Sequence, residues 1–92
     1  MKHHIIDTIE DFKNLQGYVA SEYRNEILSF DLETDSVEEV KAKVWGVGLA
    51  WTEDEAFYVP FRSQSGQDIL NCPEVVQQIN VWLASFGVMG HN

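Results

Sequence analysis

An α/β fold, an antiparallel three-stranded meander followed by a helix and the start of a further strand, is predicted by three observations. Two stretches alternate apolar and polar or large and small residues with period two, and a third short apolar run is closed by a proline. Segments with helical spacing flank this group on both sides. At 92 residues the chain suits one small domain or part of a larger one, with a single core.

The first helical segment follows a short apolar start at Ile5 and Ile6. Thr8 stands where an N-cap would, and Glu10 and Asp11 favour the positive end of the helix. Ile9, Phe12, Leu15 and Val19 follow at helical spacing, and the helix is expected to end near Ser21, where Glu22-Tyr23-Arg24-Asn25 interrupts the apolar pattern. From Glu26 to Glu33 the period is two: Leu28, Phe30 and Leu32 point one way, and Ile27, Ser29, Asp31 and Glu33 the other. In the stretch from Val44 to Trp51, the residues Trp45, Val47, Leu49 and Trp51 face away from Val44, Gly46, Gly48 and Ala50. Thr52-Glu53-Asp54-Glu55 turns the chain, and Ala56-Phe57-Tyr58-Val59 forms a third strand that Pro60 ends, because proline has no N–H for the ladder.

Arg62 to Asp68 is rich in Ser, Gln and Gly and reads as a loop or the start of a short helix. Pro73 and Glu74 then open a second helix in which Val75, Ile79, Trp82 and Phe86 recur on one face, with Gly87 closing it. Val88 and Met89 begin a further strand.

Composition limits the function. An apolar content of 45%, with three Trp, three Tyr and five Phe, belongs to a folded chain. Fifteen acidic against six basic side chains give a formal charge of −9, which repels phosphates, so a nucleic-acid partner needs metal ions or basic surface from elsewhere. Cys72 is the only cysteine, which excludes an internal disulfide and a thiolate metal cluster and fits a reducing compartment. No secretory leader or membrane-length apolar run is present, so a cytoplasmic protein without a membrane partner is expected.

The sequence concentrates its chemistry in Asp31-Leu32-Glu33. Residues two apart on a strand share a face, so two carboxylates come close and repel. A divalent cation, a shared proton or free access to water would each relieve that repulsion. Magnesium or manganese suits an all-oxygen donor pair, and carboxylates at a strand end can serve two-metal phosphodiester hydrolysis. Two carboxylates are too few for that reaction, and by spacing alone a solvated strand-end pair is the simpler reading.

The surrounding residues add a resemblance. Phe30-Asp31-Leu32-Glu33-Thr34-Asp35-Ser36 resembles the first exonuclease motif of the DNA polymerase I (family A) type, within the DEDD exonuclease superfamily. Gly46-Val47-Gly48-Leu49-Ala50 and Ala56-Phe57-Tyr58-Val59-Pro60 resemble the next two elements of that domain, in order and at similar spacing. Val88-Met89-Gly90-His91-Asn92 resembles the opening of its second motif, so the resemblance runs from Ile27 to Asn92.

The resemblance implies a ribonuclease H-like fold and a 3′→5′ proofreading exonuclease that hydrolyses 3′-terminal phosphodiesters. It implies two divalent ions, Mg2+ or Mn2+, a single-stranded DNA 3′ end as substrate, and a polymerase domain in the same full-length chain. Asp31 and Glu33 take the catalytic metal-binding positions of that family. Thr34 matches a position that touches the terminal nucleotide. Val37 falls where the family usually has a leucine wedged against the terminal bases, and Asn92 matches an asparagine near the substrate strand. The remaining motif residues, an aspartate and later a tyrosine and aspartate, would lie beyond residue 92. Residues 1–92 are therefore expected to be the N-terminal part of one exonuclease domain, truncated and inactive alone. A catalytically dead exonuclease-like scaffold and an RNA-trimming nuclease of the ribonuclease D type are the alternatives, and these residues do not identify the substrate sugar.

Other residues read more simply. His3 and His4 are adjacent on an extended segment and point apart, as surface histidines do. His91 lies inside the second motif, where glutamine is also found. Trp45, Trp51 and Trp82 lie on apolar faces and are expected in the core, not stacked on bases. Glu53-Asp54-Glu55 is expected to be a solvated hairpin tip, and Cys72, just before a helix, structural.

Overall fold

The described residues form seven elements, in the order β1 (Lys2–Ile5), α1 (Ile9–Glu22), β2 (Leu28–Thr34), β3 (Val44–Ala50), β4 (Glu55–Pro60), α2 (Pro73–Ser85) and β5 (Val88–His91). They are seen in a computed structural model that describes residues 1–34, 44–63, 65, 67–86 and 88–91, with backbone alone for 34, 44 and 88–91. The five strands form one mixed sheet in the order β1-β4-β3-β2-β5. The expected meander is its centre, since β2 pairs antiparallel with β3 and β3 antiparallel with β4. β5 adds parallel to β2, and β1 adds parallel to β4 at the opposite edge. Ile5 of the apolar start thus ends an edge strand, and Ile6 follows it into the core.

Both parallel crossovers, β1-α1-β2 and β4-α2-β5, run in the same direction along the sheet. Right-handed connections therefore put both helices on the same face. The core agrees: Phe12, Leu15 and Val19 of α1 and Val75, Ile79 and Trp82 of α2 are buried with Leu28, Val47, Leu49, Phe57 and Val59 of the sheet. Phe30 and Leu32 pack against that core, while Ile27 is 56% exposed, as the alternation in β2 requires. An apolar groove of about 520 Å³, lined by Phe30, Leu32, Val47 and Leu83 among others, lies on this helix side.

The caps follow local chemistry. Asp11 N–H donates to Thr8 Oγ1 at 3.0 Å, with Glu10 and Asp11 in the first turn. Pro73 opens α2 after Cys72, whose thiol makes no capping bond and is half-buried against the core. The predicted closure at Gly87 falls outside the described residues.

Two expectations need correction. The first helix ends at Glu22, next to the expected Ser21, but Tyr23, expected to interrupt the apolar pattern, caps it as a core residue only 4% exposed. Its ring stacks on Trp51 at 5.4 Å, a contact between elements that helical spacing does not reveal. The Arg62–Asp68 segment is a loop, the first of its two expected forms, closed by an isolated antiparallel bridge between its ends, with Arg62 Nε 3.8 Å from Asp68 Oδ1.

The second correction concerns Glu55. It is not at a solvated tip but begins β4, with its side chain 21% exposed. Its carboxylate accepts from the Tyr18 hydroxyl at 2.9 Å and the Tyr23 hydroxyl at 3.2 Å, and meets His4 Nε2 at 2.8 Å. His4 in turn stacks on Phe57 with ring centres 4.9 Å apart, whereas His3 is exposed. Those contacts, the Tyr18 hydrogen bond first and His4 next, hold the Glu55 carboxyl below its ordinary range. Burial raises the Tyr23 hydroxyl, as does its hydrogen bond to Tyr18.

A carboxyl whose folded value is depressed stabilises the fold above its unfolded value, about 4.3, and loses that contribution as pH falls through the folded value. Glu55→Gln is therefore expected to remove part of the acid-side slope in stability below about pH 5, with little change in that slope near neutrality. Urea unfolding of both proteins from pH 3 to 7 measures this, and identical acid slopes would contradict it.

Candidate metal centre

The alternation of β2 decides where the carboxylates stand. With Leu28, Phe30 and Leu32 turned to the helices, Ser29, Asp31 and Glu33 project from the opposite face, which neither helix covers. Asp31 and Glu33 are both exposed. Of the three ways of relieving their repulsion, access to water is the one seen directly.

Their neighbours across the ladder are glycines: Asp31 stands opposite Gly48 and Glu33 opposite Gly46. A Cβ on Gly48 would lie 3.8 Å from Asp31 Cβ, so the missing side chain leaves the aspartate standing over bare backbone. Ser29, Gly48, Ala50 and Ala56 line a shallow depression of about 190 Å³ beside Asp31. The β2–β3 register slips just past Glu33, which pairs with Gly46 while Thr34 pairs with Val44. Trp45 is the extra residue. Its carbonyl accepts from Phe61 N–H at 2.7 Å and Arg62 N–H at 3.0 Å, so the strand bends beside the carboxylates, as bulges commonly do next to functional sites. The slip also leaves Trp45 only half-buried, whereas Trp51 and Trp82 are core residues as expected.

The structure brings Asp31 and Glu33 together on one face and places the Thr34 backbone next to them at the end of β2. In the parallel β2–β5 pairing, position 91 is in register with Asp31. Val37 and Asn92 lie outside the described residues. Among the described residues, no group of three or more His, Cys, Asp or Glu gathers around a point that could hold a metal. The pair thus offers two hard oxygen donors from one strand, a type that suits magnesium or manganese but too few to enclose either ion.

Tyr58 was missed by the sequence reading. It stands opposite Gly48 on the carboxylate face, and burial and the negative charge of Glu33 raise its hydroxyl above the ordinary value. The signal was there in the alternation of β4, where Ala56, Tyr58 and Pro60 must face away from Phe57 and Val59.

No protein-family model matches the chain, and no curated protein matches it. No helix among the described residues is long and apolar enough to cross a membrane.

Proposed function

We propose that this chain is part of a 3′→5′ exonuclease domain of the family A DNA polymerase type, with Asp31 and Glu33 as metal ligands. The observation that carries the reading is the placement of the two carboxylates on the face of β2 that neither helix covers. A ribonuclease H-like fold is supported by the antiparallel β2-β3-β4 meander, the α2 crossover and the parallel addition of β5 beside β2. That arrangement makes β2 an inner strand, so the backbone holding the pair is fixed on both sides.

The residues do separate jobs in this reading. Asp31 and Glu33 present hard oxygen donors to one place. Divalent ions, when bound, supply activation of water and stabilisation of the leaving oxygen. Gly48 and Ala50 keep the floor beside Asp31 low, which leaves room for a strand end, and Thr34, Val37 and Asn92 would contact it. The net charge of −9 makes DNA binding depend on those ions, because without them the chain repels phosphate. At least one further carboxylate would be needed to complete the site, and the polymerase domain is a partner proposed in the same polypeptide.

Calorimetric titration with manganese tests the reading. The chain is expected to bind with a dissociation constant on the order of a millimolar, the weak end for hard-cation sites, and Asp31→Ala combined with Glu33→Ala to abolish the heat. Equal heats from the two proteins would remove the metal site and the nuclease with it.

A further inference from the structure

The carboxylate face holds a further polar group, the half-buried phenol of Tyr58. Tyr58 stands opposite Gly48 in the ladder, yet its phenol reaches over the neighbouring Gly46. A Cβ built on Gly46 would strike the Tyr58 hydroxyl oxygen and would lie 2.6 Å from the ring carbon that bears it. Gly46 is the residue opposite Glu33. The hydroxyl therefore occupies the space that a side chain at position 46 would fill, one strand away from Glu33, and strands are about 4.8 Å apart. Two hydrogen bonds through one water span about that distance. Every larger side chain at position 46 would close this path.

We infer that Tyr58 is a positioning residue of the candidate metal centre, its hydroxyl donating to a water on a cation held by Glu33 from across Gly46. The inference rests on the proposed metal reading and adds a residue from a second strand to it. The charge of Glu33 acting on the Tyr58 hydroxyl agrees with this proximity. An outer group of this kind orients a bound water and the ligand beside it, and removing one commonly weakens metal binding by about tenfold or more.

Loss of the free manganese signal in electron paramagnetic resonance measures affinity in the 92-residue chain. Tyr58→Phe keeps the ring and removes the hydroxyl, so it is expected to raise the dissociation constant about tenfold with an unchanged metal-free melting midpoint. Tyr18→Phe serves as the control, because its hydroxyl bonds Glu55 on the helix side, and its affinity should stay within about twofold of the parent. Asp31→Asn with Glu33→Gln sets the background. If Tyr58→Phe binds as tightly as the parent while the double variant is weaker, the role of Tyr58 is overturned and the metal centre stands. If the parent binds no better than the double variant, the metal reading fails and takes the Tyr58 role with it. A fall in metal-free midpoint that accounts for the lost affinity would make Tyr58 a structural residue and overturn the inference as well.

Discussion

Trp51→Ala is expected to lower stability by about 3–5 kcal/mol, the range for removing a large buried aromatic. The ring is 2% exposed and lies just past the end of β3, where α1, α2 and the sheet meet. It stacks on Tyr23 at 5.4 Å and 9°, and meets Trp82 edge-on at 5.3 Å and 88°. Phe57 and Phe86 complete the contact at 6.2 and 5.8 Å. Truncation would leave four aromatic rings facing a void, and packed rings relax into such space only partly. Small domains have roughly 5–15 kcal/mol in total, so the variant would lose a large share of its stability.

The indole nitrogen gives the experiment a control. Trp51 Nε1 is buried with no hydrogen-bond partner among the described residues, and an unsatisfied buried donor costs about 1–3 kcal/mol. Trp51→Phe removes that donor and keeps a ring against Tyr23 and Trp82, so it is expected to cost much less than Trp51→Ala. Urea midpoints at unchanged slope read both values. If Phe and Ala at this position were equally destabilising, the ring contacts would not be the source of the stability.

Local periodicity carried much of this fold. Leu28, Phe30 and Leu32 alternate with Ser29, Asp31 and Glu33 because one face of β2 is packed and the other is not, and that difference is written directly in residue type. Phe12, Leu15 and Val19, and Val75, Ile79 and Trp82, were legible for the same reason at helical spacing. What the sequence did not reveal depends on long-range pairing. Lys2–Ile5 is too short and too polar to read as a strand, and its partner in β4 lies more than fifty residues away. Glu55 looked like one more charge in an acidic turn, because Tyr18, Tyr23 and His4 reach it only after α1 has crossed the sheet. The candidate site divides in the same way. The shared face of Asp31 and Glu33 follows from adjacency on one strand, but the approach of Tyr58 depends on a register two strands away.

Gly46→Ala is expected to destabilise by about 2–3 kcal/mol, at the upper end for overpacking, and Gly48→Ala to be neutral or slightly stabilising. The two glycines share a strand and a face, so strand propensity alone predicts the same outcome for both, a gain of about 0.5–1 kcal/mol from replacing a flexible residue. Their surroundings separate them. A Cβ on Gly48 meets nothing nearer than Asp31 O at 3.7 Å, an ordinary contact. On Gly46 it would lie 2.8 Å from the Val59 carbonyl oxygen, part of the paired β4 backbone, besides striking the Tyr58 phenol. The phenol could swing aside and the carbonyl could not, so the cost at position 46 persists even in Tyr58→Ala. Thermal or urea unfolding of Gly46→Ala with and without Tyr58→Ala separates the two collisions: the share relieved in the double variant belongs to the ring, and the remainder to the ladder. Complete relief would show that Gly46 is present only to admit the phenol. A substantial remainder would show that the bend after Glu33, where β3 takes in Trp45 and draws close to Val59, already requires glycine before Tyr58 makes use of the space.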